Sequence, residues 1–244
     1  MKKKSWFASW FDTKYYHTLY KNRDEAEAQL FLDNLIEKLN PSKRAKLLDL
    51  ACGKGRHSIY LASKGYNMEG VDLSTQSIKH ARKFAHEKLS FDTHDMRKVY
   101  KARHFNFILN LFTSFGYFDN EQDSLDTLIS VTKGLKKNGV FVMDFFNATK
   151  VIANLKKREQ KTVDGVCFKI KRSVKDGYII KNIRFTDKGK SYEFEEKVRA
   201  YNYRDLKQLL EKAGLEITDR YGNYHLKKYV AKSSDRLILI AKKK

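Results

Sequence analysis

Proline is almost absent: Pro41 is the only one in 244 residues. That excludes every motif built on adjacent prolines, and Pro41 marks where an N-terminal helical region near Glu25 to Leu39 gives way to the core. Cysteine is scarce as well. With only Cys52 and Cys167, far apart in sequence, neither a disulfide framework nor a thiolate metal site is indicated, no metal is expected, and a reducing, cytoplasmic home follows. No run of about 18 apolar residues occurs, so no membrane-crossing helix is expected. The start, Met1-Lys2-Lys3-Lys4 then Trp6 to Phe11, imitates a signal peptide, but Ser5 and Ser9 interrupt its apolar stretch and Asp12 stops it, so it reads as a mature N-terminus. Acids are outnumbered 29 to 50 by lysine and arginine, a formal net charge of +21, and most of the excess lies after residue 150. A basic surface attracts polyanions and phosphorylated small molecules. No dense arginine–aromatic cluster accompanies it, so nucleic acid is not the favoured partner.

What the chain does have is an alternation of strands and helices. With 41% hydrophobic residues it can bury one α/β core, a mostly parallel sheet with helices on both faces. Strands are expected at about 46–52, 67–72, 89–93, 105–112 and 139–146, with a last one at 236–241. A helix over 121–137 lines up Leu125, Leu128, Ile129, Thr132 and Leu135, ended by Asn138-Gly139; another over 203–213 carries Leu206, Leu209, Leu210 and Ala213, closed by Gly214. Between Phe146 and Tyr201 the pattern turns to β-rich runs joined by Lys175-Asp176-Gly177 and Asp187-Lys188-Gly189. These predict a three-stranded antiparallel insertion within 161–200, a lid or substrate wall. Residues 1–244 thus read as a single domain with an N-terminal helical cap, 1–45. Lysines of the insertion such as Lys169 and Lys171 alternate along a strand and share one face, which suggests an acceptor bearing phosphate or carboxylate.

The most informative stretch is Leu47 to Arg56, a buried strand running into the glycine turn Ala51-Cys52-Gly53-Lys54-Gly55 that opens a helix. Gly53 and Gly55 let backbone N–H groups approach a ligand closely. A dinucleotide turn would carry a third glycine where Ser58 stands, and Asp49 at the strand end would sit badly beside a pyrophosphate. The turn suits a ligand with positive charge and no phosphate. Nineteen residues after Gly53 a second strand ends in Asp72-Leu73, placed for a ribose hydroxyl pair, and Ser74 caps the next helix. A third ends in Asp95-Met96.

Asp49, Gly53, Gly55, Asp72 and Asp95 at three successive strand ends resemble the class I S-adenosylmethionine-dependent methyltransferases. The resemblance implies a Rossmann-like fold and S-adenosylmethionine as cofactor. It further implies that Ala51, Cys52, Gly53, Gly55 and His57 lie at the turn, Asp72 and Leu73 at the ribose, Asp95 and Met96 at the adenine, and Asn110 at the fourth strand end. Together with Asn110-Leu111-Phe112-Thr113-Ser114-Phe115-Gly116-Tyr117 and Tyr16-His17-Thr18-Leu19-Tyr20, the pattern is similar to small-molecule N- or O-methyltransferases, including nucleotide-sugar N,N-dimethyltransferases. There the paired tyrosines, here Tyr16 and Tyr20, pack over the methionine end of the cofactor; His17 replaces the acid between them.

The absences then narrow the chemistry. Flipped-base amine methylation needs Asn/Asp-Pro-Pro-Tyr/Phe, which one proline forbids, and a cytosine-C5 enzyme needs a cysteine nucleophile, whereas Cys52 belongs to the turn and Cys167 to the insertion. The expectation is methyl transfer to N or O of a small, anionic acceptor by a monomer or homodimer. An RNA-modifying methyltransferase with a basic surface and a non-catalytic cofactor-binding regulator are the alternatives. Residues near the expected methyl are Tyr15, Tyr16, His17, Tyr117 and Asn147, with His17 or Tyr117 as the base if one is needed.

Overall fold

A computed structural model describes residues 6–21 and 25–244; the Met1 to Ser5 start, part of the expected cap, lies outside them. The chain begins with two short helices, α1 (Trp6–Trp10) and α2 (Lys14–Leu19), followed by α3 (Glu25–Leu39). It then alternates β1 (Lys46–Leu50), α4 (Arg56–Ser63), β2 (Asn67–Asp72), α5 (Thr75–Ala81), β3 (Leu89–Thr93), β4 (Phe105–Asn110), α6 (Glu121–Gly134), β5 (Leu135–Phe146) and α7 (Ala148–Ala153). Four antiparallel strands come next: β6 (Arg158–Val163), β7 (Val166–Lys175), β8 (Tyr178–Asp187) and β9 (Lys190–Arg199). The chain closes with α8 (Tyr203–Lys212), β10 (Leu215–Tyr221) and β11 (Arg236–Lys243).

The main sheet runs β10-β11-β5-β4-β1-β2-β3. β1 to β5 are parallel, and β11 is antiparallel to both β5 and β10. Strand order reverses at β1 and β4, so a crevice opens outside their carboxyl ends, where ligands of such sheets bind. Helices cover both faces. Leu128 and Val131 of α6 and Leu206, Leu209 and Leu210 of α8 pack on one side; Phe31, Leu32 and Leu35 of α3, Leu61 of α4 and Ile78 of α5 pack on the other.

A third apolar cluster joins the two ends of the expected substrate half. Trp10, Tyr15 and Leu19 of α1 and α2 pack against Val163, Phe168, Ile170, Ile183 and Phe185 of the four-stranded sheet. The N-terminal segment is therefore divided, its first two helices belonging to the insertion and α3 to the main sheet.

Several boundaries differ from the sequence reading. α6 stops at Gly134 rather than at residue 137, because Leu135 is already extended (ψ 141°) and pairs with Phe105. Asn138-Gly139 then makes an irregularity inside β5, with Asn138 at φ 60°, instead of ending a helix. The insertion has four strands, not three: β6, Arg-Glu-Gln-Lys-Thr-Val, is too polar to stand out, yet pairs along its whole length with β7. β10 was missed for the same reason. Ser74 does cap α5, its hydroxyl accepting from the Ser77 N–H at 3.0 Å.

Candidate active site

The turn after β1 places three left-handed residues within five positions: Ala51 (φ 66°), Gly53 (φ 57°) and Gly55 (φ 82°). The two glycines have different duties. A Cβ on Gly53 would meet nothing within 4 Å, so that backbone faces open space, whereas a Cβ on Gly55 would lie 2.6 Å from the Phe91 ring. Gly53 serves the pocket and Gly55 serves packing beneath it.

Asp72 organises this end of the crevice. Its carboxylate accepts from the N–H of Gly53 and from the N–H of Ser74, each at 2.8 Å. Two backbone donors fix its orientation, and a carboxylate retains lone pairs for two more hydrogen bonds, the number a ribose diol requires. Burial raises its pKa above the usual aspartate value while these N–H groups oppose the shift. Ser74 donates in turn to Asp12, which ties the α1–α2 loop to the strand end.

The crevice is a pocket of about 580 Å³. Of the expected cofactor residues, Tyr16, Tyr20, Ala51, Cys52, Gly53, His57, Asp72, Leu73, Asp95 and Met96 line it, as do His17 and Tyr117. Asp49, Gly55 and Asn110 lie below its surface instead. Asp49, 2% exposed, accepts from the Ser58 hydroxyl at 2.7 Å, and burial raises its pKa to about 6. Asn110, 1% exposed, donates to the Leu50 carbonyl at 3.0 Å and so ties β4 to β1. Two residues expected near the methyl are elsewhere. Tyr15 packs on Phe185 and Tyr192 and donates to Asp187; Asn147 is buried, donating to the Ala231 and Ser234 carbonyls.

Other lining groups had been given no role from the sequence. Arg97 grips Asp95 at 2.6 Å and Asp123 at 3.0 Å, which holds the Asp95 carboxyl below the usual range although burial works against this. Phe11, Phe112 and Phe118 bring apolar surface to the pocket. Phe11 was hidden by its place in a leader-like stretch.

The turn after β4 is the least predictable part. Phe112 (φ 54°) and Thr113 (φ 62°) are both left-handed, a strain that needs support from outside the turn. Asp144, fully buried in β5, accepts from the Phe112 N–H at 2.8 Å and from Arg236 Nε at 2.7 Å, and Arg236 also donates to the Thr113 hydroxyl at 3.0 Å. The Phe112 ring stacks on His57, 4.7 Å between centroids.

A second cavity of about 240 Å³ adjoins the first. The two share Phe11, Tyr16, Tyr20, Phe112 and Tyr117 as a common aromatic wall. Its opposite side comes from the inner face of the four-stranded sheet, with Arg172, Lys181 and Glu196. Lys169 and Lys171, expected to face an acceptor, are exposed on the outer face, because Phe168 and Ile170, which alternate with them, point inward. Among the described residues no group of three or more His, Cys, Asp or Glu could hold a metal ion.

The family described as "Methyltransferase domain" matches residues 20–220. Among curated proteins the chain is similar to a putative methyltransferase YqeM of Bacillus subtilis (strain 168), 33% identical over 123 residues, 48% of each chain. It is also similar to the dTDP-3-amino-3,4,6-trideoxy-alpha-D-glucopyranose N,N-dimethyltransferase of Streptomyces venezuelae, 27% identical over 165 residues, 65% of this chain and 67% of the relative. The chain thus spans about half to two thirds of the length of these relatives. In fold it resembles the crystal structure of a S-adenosylmethionine-dependent methyltransferase from Clostridium acetobutylicum ATCC 824, with a TM-score of 0.78 at 24% identity, covering 94% of this chain and 96% of that one.

Proposed function

The chain belongs to the methyltransferase-domain family, and from that premise we propose that it moves the methyl group of S-adenosylmethionine to a nitrogen or oxygen of a small, anionic acceptor. The observation that carries this reading is the aromatic wall shared by the two cavities: one chamber has a ribose-type carboxylate, Asp72, the other reaches under the four-stranded sheet, and the same five rings border both.

The residues present fit the cofactor. Asp72 is pre-set by two backbone N–H groups to take a diol, open space over Gly53 admits a ligand against the backbone, and Leu73 and Met96 offer apolar surface for a base. S-adenosylmethionine supplies a positively charged sulfonium whose methyl is open to in-line attack. The protein's part is alignment, a proximity effect of roughly 7–11 kcal/mol at best. The electron-rich faces of Tyr16 and Tyr20 suit a cation. Tyr117 donates its hydroxyl proton to the Thr113 carbonyl, which makes it a positioning group rather than a base; His17 is the base if the acceptor arrives protonated. In this reading β6 to β9 with α1 and α2 form the acceptor wall of a single domain working in the cytoplasm. No helix among the described residues is long and apolar enough to cross a membrane.

The test is calorimetric. S-adenosylhomocysteine should bind the wild type and lose about 1.5–3 kcal/mol of affinity in Asp72→Ala, the worth of hydrogen bonds to a charged group. Equal affinity for both proteins would remove Asp72 from the site and the cofactor assignment with it.

A further inference from the structure

Arg172, Lys181 and Glu196 are cross-strand partners on β7, β8 and β9, and all three line the second cavity. Their side chains are only 21%, 15% and 13% exposed. The carboxylate of Glu196 is already saturated. It accepts from Trp10 Nε1 at 2.8 Å and from the Tyr20 hydroxyl at 2.7 Å, and it pairs with Lys181 at 3.2 Å. The cations are not. Arg172 uses one terminal nitrogen on Glu159 at 2.5 Å and the other on the Lys156 carbonyl at 3.3 Å, and among the described residues its Nε has no partner. Lys181 donates to the Tyr20 hydroxyl and pairs with Glu196, which leaves one of its three N–H groups over.

Glu159 does not line the cavity but pairs with Arg172 from behind it, so the polar lining of the cavity is Arg172, Lys181 and Glu196. Burial, helped by the neighbouring Arg172, holds the Lys181 pKa below the ordinary lysine value against the pull of Glu196 and Glu159. Val151, Leu155, Ile179 and Val198 also line the cavity and add apolar surface, while Lys181 and Glu196 reach the aromatic wall itself at Tyr20.

We propose that Arg172 and Lys181 form an anion-recognition site that selects methyl acceptors carrying a carboxylate or phosphate. The inference rests on the methyltransferase reading and names the acceptor class for it. At about 240 Å³ the cavity falls below the usual range of roughly 300–1,000 Å³ for ligand sites, so the acceptor is small, with an anionic group and a nucleophilic nitrogen or oxygen. The charge that selects it is the inward row of the sheet, not the lysines on its outer face.

The test uses the whole protein saturated with S-adenosylhomocysteine, titrated in separate arms with acetate and with inorganic phosphate at constant ionic strength. Tryptophan fluorescence reports, since Trp10 bonds to Glu196 beside the site. A saturable change is expected, in the acetate arm for a carboxylate-bearing acceptor and in the phosphate arm for a phosphorylated one. Arg172→Gln and Lys181→Gln should weaken it about tenfold or more, and Lys181→Arg, which keeps the charge, should restore most of it. Lys169→Glu and Lys171→Glu should stay within about twofold of wild type, because exposed charges are screened. A non-saturating response in both arms overturns the proposal, as does equal weakening by the outer-face variants. Failure of S-adenosylhomocysteine to bind at the outset would instead strike the methyltransferase reading beneath it.

Discussion

Gly53 and Gly55, two positions apart and both left-handed, answer to different constraints, and substitution separates them. Gly53→Val meets no protein atom at Cβ, so the protein should fold with a modest strain of about 1–2 kcal/mol while S-adenosylhomocysteine affinity drops steeply. Gly55→Ala forces a methyl to within 2.6 Å of Phe91 and should lower stability by about 1–3 kcal/mol through overpacking. Thermal unfolding alongside calorimetry would show whether the two effects divide this way. Asp49 gives a pH prediction. Its folded pKa of about 6 exceeds the unfolded value of roughly 3.9, so between those values the native state holds the extra proton. Its contribution is therefore intact below about pH 4 and is lost as pH rises through 6, by about 3 kcal/mol. Asp49→Asn should shrink the difference in urea stability between pH 4 and pH 7 by about that amount; an undiminished difference would mean the carboxyl is not desolvated. The sequence showed that an acid stands at this strand end, but not that it is spent on Ser58 below the turn.

The four-stranded sheet and the first two helices share an apolar cluster of their own. α1 and α2 pack on β7 and β8 through Trp10, Tyr15 and Leu19, and Glu196 of β9 accepts from Trp10 and Tyr20. Yet α2 also supplies Tyr16, His17 and Tyr20 to the larger pocket, the proposed cofactor site. Damage to the insertion should therefore reach the cofactor. Phe168→Ala, at a fully buried position, should remove about 3–5 kcal/mol of packing, speed hydrogen exchange in residues 10–20 and weaken S-adenosylhomocysteine binding, although Phe168 is not in the pocket. Unchanged exchange in α2 would dissolve the coupling. Hairpin signals at Asp176-Gly177 and Lys188-Gly189 made β7 to β9 legible, since turn chemistry is local. β6 and the docking of α1 and α2 were not, because polar alternation and short helices become structure only against a partner.

At the scale of the molecule, the C-terminal strand is wired into the site it never touches by sequence. Arg236 of β11, 18% exposed at its side chain, reaches the fully buried Asp144 and the Thr113 hydroxyl, bracing the left-handed Phe112-Thr113 turn. Arg236→Met should cost about 3–5 kcal/mol by stranding a buried charge; adding Asp144→Asn should recover part of that loss in a denaturation series, and no recovery would mean that the two residues act independently. The basic surplus has a similarly global answer. Lys169 and Lys171 face outward while Arg172 and Lys181 line a cavity, a distinction of a single residue in register, and such a shift exchanges the faces of a strand. By itself the sequence determined the parallel α/β core, the glycine turn and the acids at three strand ends, because each is written in residues that are close along the chain and obey local rules of propensity and capping. The tertiary structure alone decided that Asp49 and Asn110 brace the pocket from below, that Asp144 meets Arg236 across 92 positions, and that two cations share an inner wall. Those relations depend on which surfaces come to be buried against each other, a property that no short window of the chain contains.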